Sequence, residues 1–266
     1  VPIKEITSFN RDANDQILRT LRIAISTTGE YTNFWDDGDN TNGDAQEDAL
    51  AAVVSTLNRI NEVFEVDMAV TFQLVSGIEI IYPTASTDPY SSNLNNQLQS
   101  TLTSEVGESN YDIGHLFNYD GNNGNAGCIG CVCVDGQKGS GFSSHQFTDN
   151  DGGPYMDDFF DIDYVPHEIG HQMGGNHTFS MRSENTGVNY EPGSGTTIMG
   201  YAGITGADDV QDHSDPYFHY GTINQVLNNL ENKTCWTSTA ITNNPPVANA
   251  GSDYTIPQGT AFKLVG

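Results

Sequence analysis

Residues 167–177 read His-Glu-Ile-Gly-His-Gln-Met-Gly-Gly-Asn-His, the pattern HExxHxxGxxH. His167 and His171 are four positions apart, so on a helix they share one face, about 6 Å apart along the axis. Two imidazoles placed in this way can grip one Zn2+. Glu168 sits beside them, positioned to take a proton from water at the metal. Gly174 lets the chain leave the helix in a sharp turn, because glycine tolerates positive φ. His177 can then return as a third ligand. Three protein ligands leave a fourth position open, which is the catalytic rather than the structural arrangement of zinc. A bare HExxH would also fit an exposed polar helix, but the extended form fixes five positions across eleven residues. Ile162, Val165, Ile169 and Met173 recur at helical spacing, and Pro166 is tolerated in a first turn, so the helix is expected to start near Tyr164.

A second stretch supports the first. Residues 196–201 read Thr-Thr-Ile-Met-Gly-Tyr. This resembles the Met-turn beneath the zinc of metzincin metallopeptidases, with Met199 as the turn methionine and a soft apolar floor under the imidazoles. The resemblance gives Tyr201 a role too: a tyrosine at that place ligates zinc at rest or hydrogen-bonds the tetrahedral intermediate in some metzincins. As plain residues, Met199 and Tyr201 also fit a core. Five segments resemble secreted bacterial reprolysin-like (adamalysin-type) metallopeptidases: 19–31 (RTLRIAISTTGEY), 110–117 (NYDIGHLF), 161–179 (DIDYVPHEIGHQMGGNHTF), 190–203 (YEPGSGTTIMGYAG) and 215–224 (DPYFHYGTIN). Together they span most of residues 15–235. Snake-venom-type reprolysins carry Asp after the third histidine; Thr178 stands here, as in pappalysins, so the chain has some pappalysin-like features.

The resemblance implies an α/β (α+β) catalytic domain. Its parts are a twisted, mostly parallel sheet with one antiparallel edge strand, the zinc-binding helix, a horizontal cleft and an irregular C-terminal lobe. Residues 126–133 are expected to be that edge strand, with Ala126, Gly127, Cys128, Ile129 and Gly130 offering backbone groups to an extended polypeptide substrate; a Gly-rich loop without a partner is the other reading. The pocket for the side chain that follows the scissile bond is expected between the helix and the residues after Met199, roughly 201–209. The function implied is secreted, zinc-dependent hydrolysis of internal peptide bonds. The alternative is a catalytically inactive metzincin-fold binding or adhesion module of a surface protein.

Composition narrows the setting. The chain has 266 residues and a formal net charge of -26, from 35 acidic and 9 basic side chains. Such an excess argues against nucleic acid and anionic membrane surfaces as partners. No run of 18 apolar residues is present, so no membrane insertion is expected. The chain opens Val1-Pro2 without an initiator Met, which reads as a processed N-terminus; a pro-segment inhibitor is expected in the precursor, and a monomer in the mature form. Four cysteines in a secreted chain suggest two disulfides, with three pairings open. The C-x-x-C at Cys128 and Cys131 also fits half of a zinc site, but no second ligand pair follows. In reprolysins a cysteine ending the edge strand is bridged to one near the domain's C-terminus. Cys133 and Cys235 occupy those places, which leaves Cys128 with Cys131.

Along the chain, Leu21, Ile23 and Ile25 alternate as a strand. A helix fits residues 44–64, through Leu50, Val53, Val54, Leu57, Ile60 and Phe64. Residues 68–75 and 78–82 read as strands, 93–106 as a helix, 111–117 as an apolar strand, 139–143 as a short strand, and 222–231 as a last helix. His115, inside the apolar strand, reads as a satisfied core residue. The loop 36–48 (DDGDNTNGDAQED) places Asp36, Asp37, Asp39 and Asp44 close together among Asn and Gly, so it is a candidate Ca2+ site as well as a solvated acidic loop; its spacing fails the EF-hand pattern. Asp149 and Asp151 make a weaker candidate. Residues 1–241 are expected to form the catalytic domain. Residues 242–250 read as a Pro-containing linker, and 251–266 as the stub of an immunoglobulin-like or PKD-like sandwich.

Overall fold

The computed structural model describes residues 15–148, 155–242, 255–261 and 263. The first strand, β1 (Ile17–Thr27), is the spine of the sheet. Its side chains alternate between two cores: Leu21, Ile23 and Ile25 enter the larger one, Ala24 the smaller. Helix α1 (Gly29–Trp35) follows, capped by the Thr28 side chain. The long helix α2 (Ala45–Met68) begins at a capping box. The Asp44 carboxylate accepts from the N–H groups of Gln46 and Glu47, and Glu47 reaches back to the Asp44 N–H. Val53, Leu57, Ile60 and Phe64 of α2 are buried against the sheet.

Strand β2 (Val70–Leu74) pairs parallel with β1, Arg19 opposite Val70. Helix α3 (Leu94–Thr101) runs on through a wider π-turn to Val106 and covers the smaller core with Leu98 and Leu102. Strand β3 (Ile113–Asn118) pairs parallel with the second half of β1, and β5 (Gly141–Ser144) pairs parallel with β3. Strand β4 (Asn123–Asn125) pairs antiparallel with β5 and closes that edge. Helix α4 (Val165–Met173) carries the motif, α5 (Tyr220–Glu231) packs on it, and β6 (Thr237–Ala240) pairs antiparallel with the first part of β1. The order is β2-β1-β3-β5-β4, with β6 beside β1. This is the mostly parallel sheet with an antiparallel edge that the sequence implied.

Two expectations need correction. The edge strand is Asn123–Asn125, not 126–133; residues 126–133 form bends and turns, pinned by a disulfide between Cys128 and Cys131. Ile78–Ile80 is a turn of 3-10 helix rather than a strand, because the Glu79 carboxylate folds back onto the Gly77 N–H; one bridge, Thr27 to Ile81, is all that pairs there. Strand β6 had no reading in the sequence. The second disulfide joins Cys133 to Cys235, as the resemblance implied, tying the loop beyond β4 to the segment after α5. Residues 243–250 of the linker, Asp149 and Asp151, and half of the sandwich stub lie outside the described residues; residues 255–261 are exposed and carry neither helix nor strand.

Candidate active site

Every residue of α4 is buried. Val165 and Pro166 open the helix, where proline's missing N–H costs nothing. His167 and His171 stand one turn apart, their ring centroids separated by 4.8 Å. Gly174 ends the helix at φ 117°, left-handed backbone that a side chain rarely adopts. The chain then doubles back, held by the Asn176 N–H donating to Gln225. His177 arrives with its ring centroid 4.6 Å from His171 and 5.2 Å from His167.

The hydrogen bonds decide what these rings can do. His167 Nδ1 is 2.7 Å from the Ile198 carbonyl, His171 Nδ1 2.7 Å from the Gly175 carbonyl, and His177 Nδ1 2.9 Å from Glu184 Oε2. Each partner is an acceptor, so each Nδ1 carries the proton and each Nε2 presents a lone pair. His171 Nε2 and His177 Nε2 face one another at 3.0 Å. Two lone pairs so close repel unless a cation lies between them. One ligand atom from each of the three histidines falls within 4.8 Å of the others. Ligands about 2.0–2.1 Å from a tetrahedral ion stand roughly 3.4 Å apart, so the set fits zinc after small adjustments. Burial holds all three imidazoles below their ordinary value, His171 at about 4, so all are neutral ligands at pH 7.

Glu168 lies next to this cluster, nine-tenths buried. Burial pushes its carboxyl up to about 8, against the Ala126 N–H that donates to it. Its room comes from strand β4. A Cβ on Gly124 would sit 2.5 Å from Glu168 Oε1, so only glycine lets the edge strand lie over the carboxylate. Met199 is fully buried under the same helix, where a Cβ on Gly170 would meet its sulfur at 2.6 Å. The Tyr201 ring is 4.6 Å from His177 and 5.6 Å from His167. Burial, then the nearby Glu168, raise its phenol above the ordinary value. Two cavities meet at His167, Glu168 and Tyr201: one of 430 Å³ that also holds His171 and His177, and one of 480 Å³ that runs away from them.

The sequence matches the model of the metallo-peptidase family M12B, reprolysin-like, over residues 17–230. The chain belongs to that family. No curated protein matches the sequence. Among solved structures, a chaperone–substrate complex is similar at a TM-score of 0.42 and 13% identity, over 81% of this chain and 36% of that one. Metalloproteinase-II from Bacteroides fragilis is similar at 0.39 and 11%, over 80% of this chain and 53% of that one. This chain therefore spans about a third to a half of those two. Both scores fall below 0.5, and the family assignment stands on the sequence match.

Members of the reprolysin-like family are typically zinc-dependent, and a triad of histidines that could hold a metal ion is present here. Thr178, standing where snake-venom-type members have Asp, is buried and donates to Glu191. Glu191 also accepts from the Thr197 hydroxyl at 2.6 Å and from the N–H groups of Thr196 and Thr197. Burial pushes this carboxyl up, but its four donors outweigh that and hold it below its ordinary value. Glu191 thus locks Thr178, the neighbour of His177, to the segment just before Met199, a link that sequence reasoning missed. Glu184, the partner of His177, was missed as well; it lies in a loop without periodicity.

Of the residues expected to hold substrate, Ala126, Gly127, Cys128 and Ile129 line the smaller cavity, although they are not a strand. The acidic loop is rearranged from its expectation. Asp36 and Asp37 come together with Asp48, not with Asp39 and Asp44. Asp44 is occupied in capping α2, and Asp39 Oδ1 accepts from the N–H and hydroxyl of Thr41. His115 is a core residue: its ring nitrogens lie 2.9 Å from Gln172 Oε1 and 3.0 Å from Ser143 Oγ.

Proposed function

We propose that the chain is a secreted zinc endopeptidase, and that its substrate is a polypeptide bound along β4. The observation that carries this reading is the set of three Nε2 atoms, each fixed by an acceptor at Nδ1, beside a buried carboxylate. His167, His171 and His177 would hold zinc. Bound there, zinc would act as a Lewis acid toward the scissile carbonyl and the attacking water. A cation on the three histidines would favour the ionised form of Glu168, and that carboxylate takes the proton of the water and hands it to the leaving amine. The Ala126 N–H and the bare backbone of Gly124 keep the Glu168 carboxylate in place. Tyr201 lines both cavities and supplies a phenol to the developing oxyanion. Strand β4 pairs with β5 on one side and offers its other side to an extended peptide. Secretion is supported by the two disulfides; no helix among the described residues is long and apolar enough to cross a membrane.

The test is cleavage of an internally quenched peptide library by zinc-loaded protein, with products identified by mass. Internal cuts that stop on chelation and return with added zinc are expected. A zinc-loaded protein that cuts no peptide contradicts the proposal and leaves the inactive binding module.

A further inference from the structure

The 480 Å³ cavity begins at His167 and Glu168 and runs between Tyr201 and residues 212–214, where the side chain after the scissile bond is expected. Besides Glu168, the described residues of its wall hold two carboxylates, Asp163 and Asp212, and neither lysine nor arginine. Asp163 is the inner one. Its Oδ1 accepts from the Ser214 N–H at 2.8 Å. Its Oδ2 has His213 Nδ1 at 3.8 Å, beyond hydrogen-bond reach. The side chain keeps 16% of its surface and lines the cavity, so the carboxylate is not sealed in the core. The Ser214 hydroxyl also donates to the carboxylate, and His213 does not close on it. Its ring is stacked on Phe159 with centroids 3.5 Å apart, a contact that fixes its plane. The remaining histidine of the wall, His145, is buried and its Nδ1 accepts from the Phe147 N–H. Tyr164 and Tyr201 provide aromatic faces along the way, and such faces suit a cation and the alkyl stem that carries it.

We propose that this cavity selects substrates with arginine or lysine immediately after the scissile bond, with Asp163 as the residue that receives the cation. The inference rests on the peptidase reading above and names its substrate class. Asp212, exposed near the mouth, adds attraction on the way in. A neutral side chain of the same shape would leave the Asp163 carboxylate buried without a counter-ion. A glutamate would face like charge.

The experiment uses the full zinc-loaded chain and four quenched peptides that differ only in the residue after the cut: arginine, its neutral isostere citrulline, leucine and glutamate. The expected kcat/KM is about 10–100-fold higher for arginine than for citrulline, from one charge-assisted hydrogen bond, with glutamate the poorest. In Asp163→Asn the arginine-to-citrulline ratio falls to about threefold or less. That amide can still accept from Ser214, and a thermal melt checks that the variant folds. The wild-type ratio stands as a test whether or not the variant does. Leucine or citrulline cut as fast as arginine overturns the proposal and leaves the peptidase reading intact. No cleavage of any of the four overturns both.

Discussion

Glu184 offers the sharpest perturbation of the metal centre, because of how the three histidines are held. His167 and His171 lean on main-chain carbonyls, which no side-chain substitution removes. His177 alone leans on a side chain, at 2.9 Å. Glu184→Ala deletes the acceptor, frees the His177 ring to rotate, and lets it take the tautomer that puts its proton on Nε2. Loss of such a partner typically weakens metal binding by about 10–100-fold, or roughly 1.4–2.8 kcal/mol. Two features place the effect toward the lower end. Glu184 keeps a quarter of its side-chain surface, so water can partly replace it, and Arg182 at 3.6 Å already shares its charge. A rise in zinc Kd of about tenfold is therefore expected from chelator competition, with the melting temperature of the zinc-free protein unchanged. Glu184→Gln keeps an acceptor oxygen and should fall between the two. A Kd within threefold of wild type for Glu184→Ala would refute the idea that Glu184 orients the third ligand.

Gly124→Ala should separate the edge strand's two duties. The new Cβ would lie 2.5–2.8 Å from three atoms of Glu168, so the carboxylate must move; activity should drop about 100-fold, the cost of a misplacement near 1 Å, while zinc affinity stays within threefold. His115 predicts a pH dependence of stability. Burial lowers its pKa to about 4 from 6.5. Its folded value is thus depressed, so the stability it supports is complete above about pH 6.5 and is lost as pH falls through 4. The loss amounts to roughly 2–3 kcal/mol between pH 7 and 4.5. In His115→Gln, urea unfolding of the zinc-free protein should show that much less pH dependence than wild type, the zinc ligands titrating equally in both.

How much of this could be read from residues alone depended on range. The three ligands and Glu168 occupy eleven consecutive positions, and their geometry follows from one helix and one glycine. Strand β1 and helix α2 were legible because Leu21, Ile23, Ile25 and the α2 row of Val53, Leu57, Ile60 and Phe64 repeat with the period of their elements. The edge strand was misplaced because Asn123-Gly124-Asn125 has no alternation; it is a strand only because β5 lies beside it. Strand β6, Thr-Ser-Thr-Ala, is exposed throughout and exists through its pairing with β1. Residues 78–82 have the β-branched and aromatic composition of a strand, yet a glutamate two residues from Gly77 turns them. Asp44 bore the signature of a helix cap, with Glu47 three positions on, and the capping box won over the ligand reading. Glu184 and Glu191 act from 7 and 14 positions beyond His177, through loops whose path no local pattern encodes.

The central claim is that Glu168 performs the proton transfers at a centre the histidines hold. It is tested by comparing Glu168→Ala with wild type, each prepared with zinc and assayed on the same quenched peptide, with bound metal counted by elemental analysis. The account predicts one zinc per chain in both proteins, and a loss of cleavage of about 100-fold or more in the variant. A variant that binds zinc and cleaves at near the wild-type rate would contradict it.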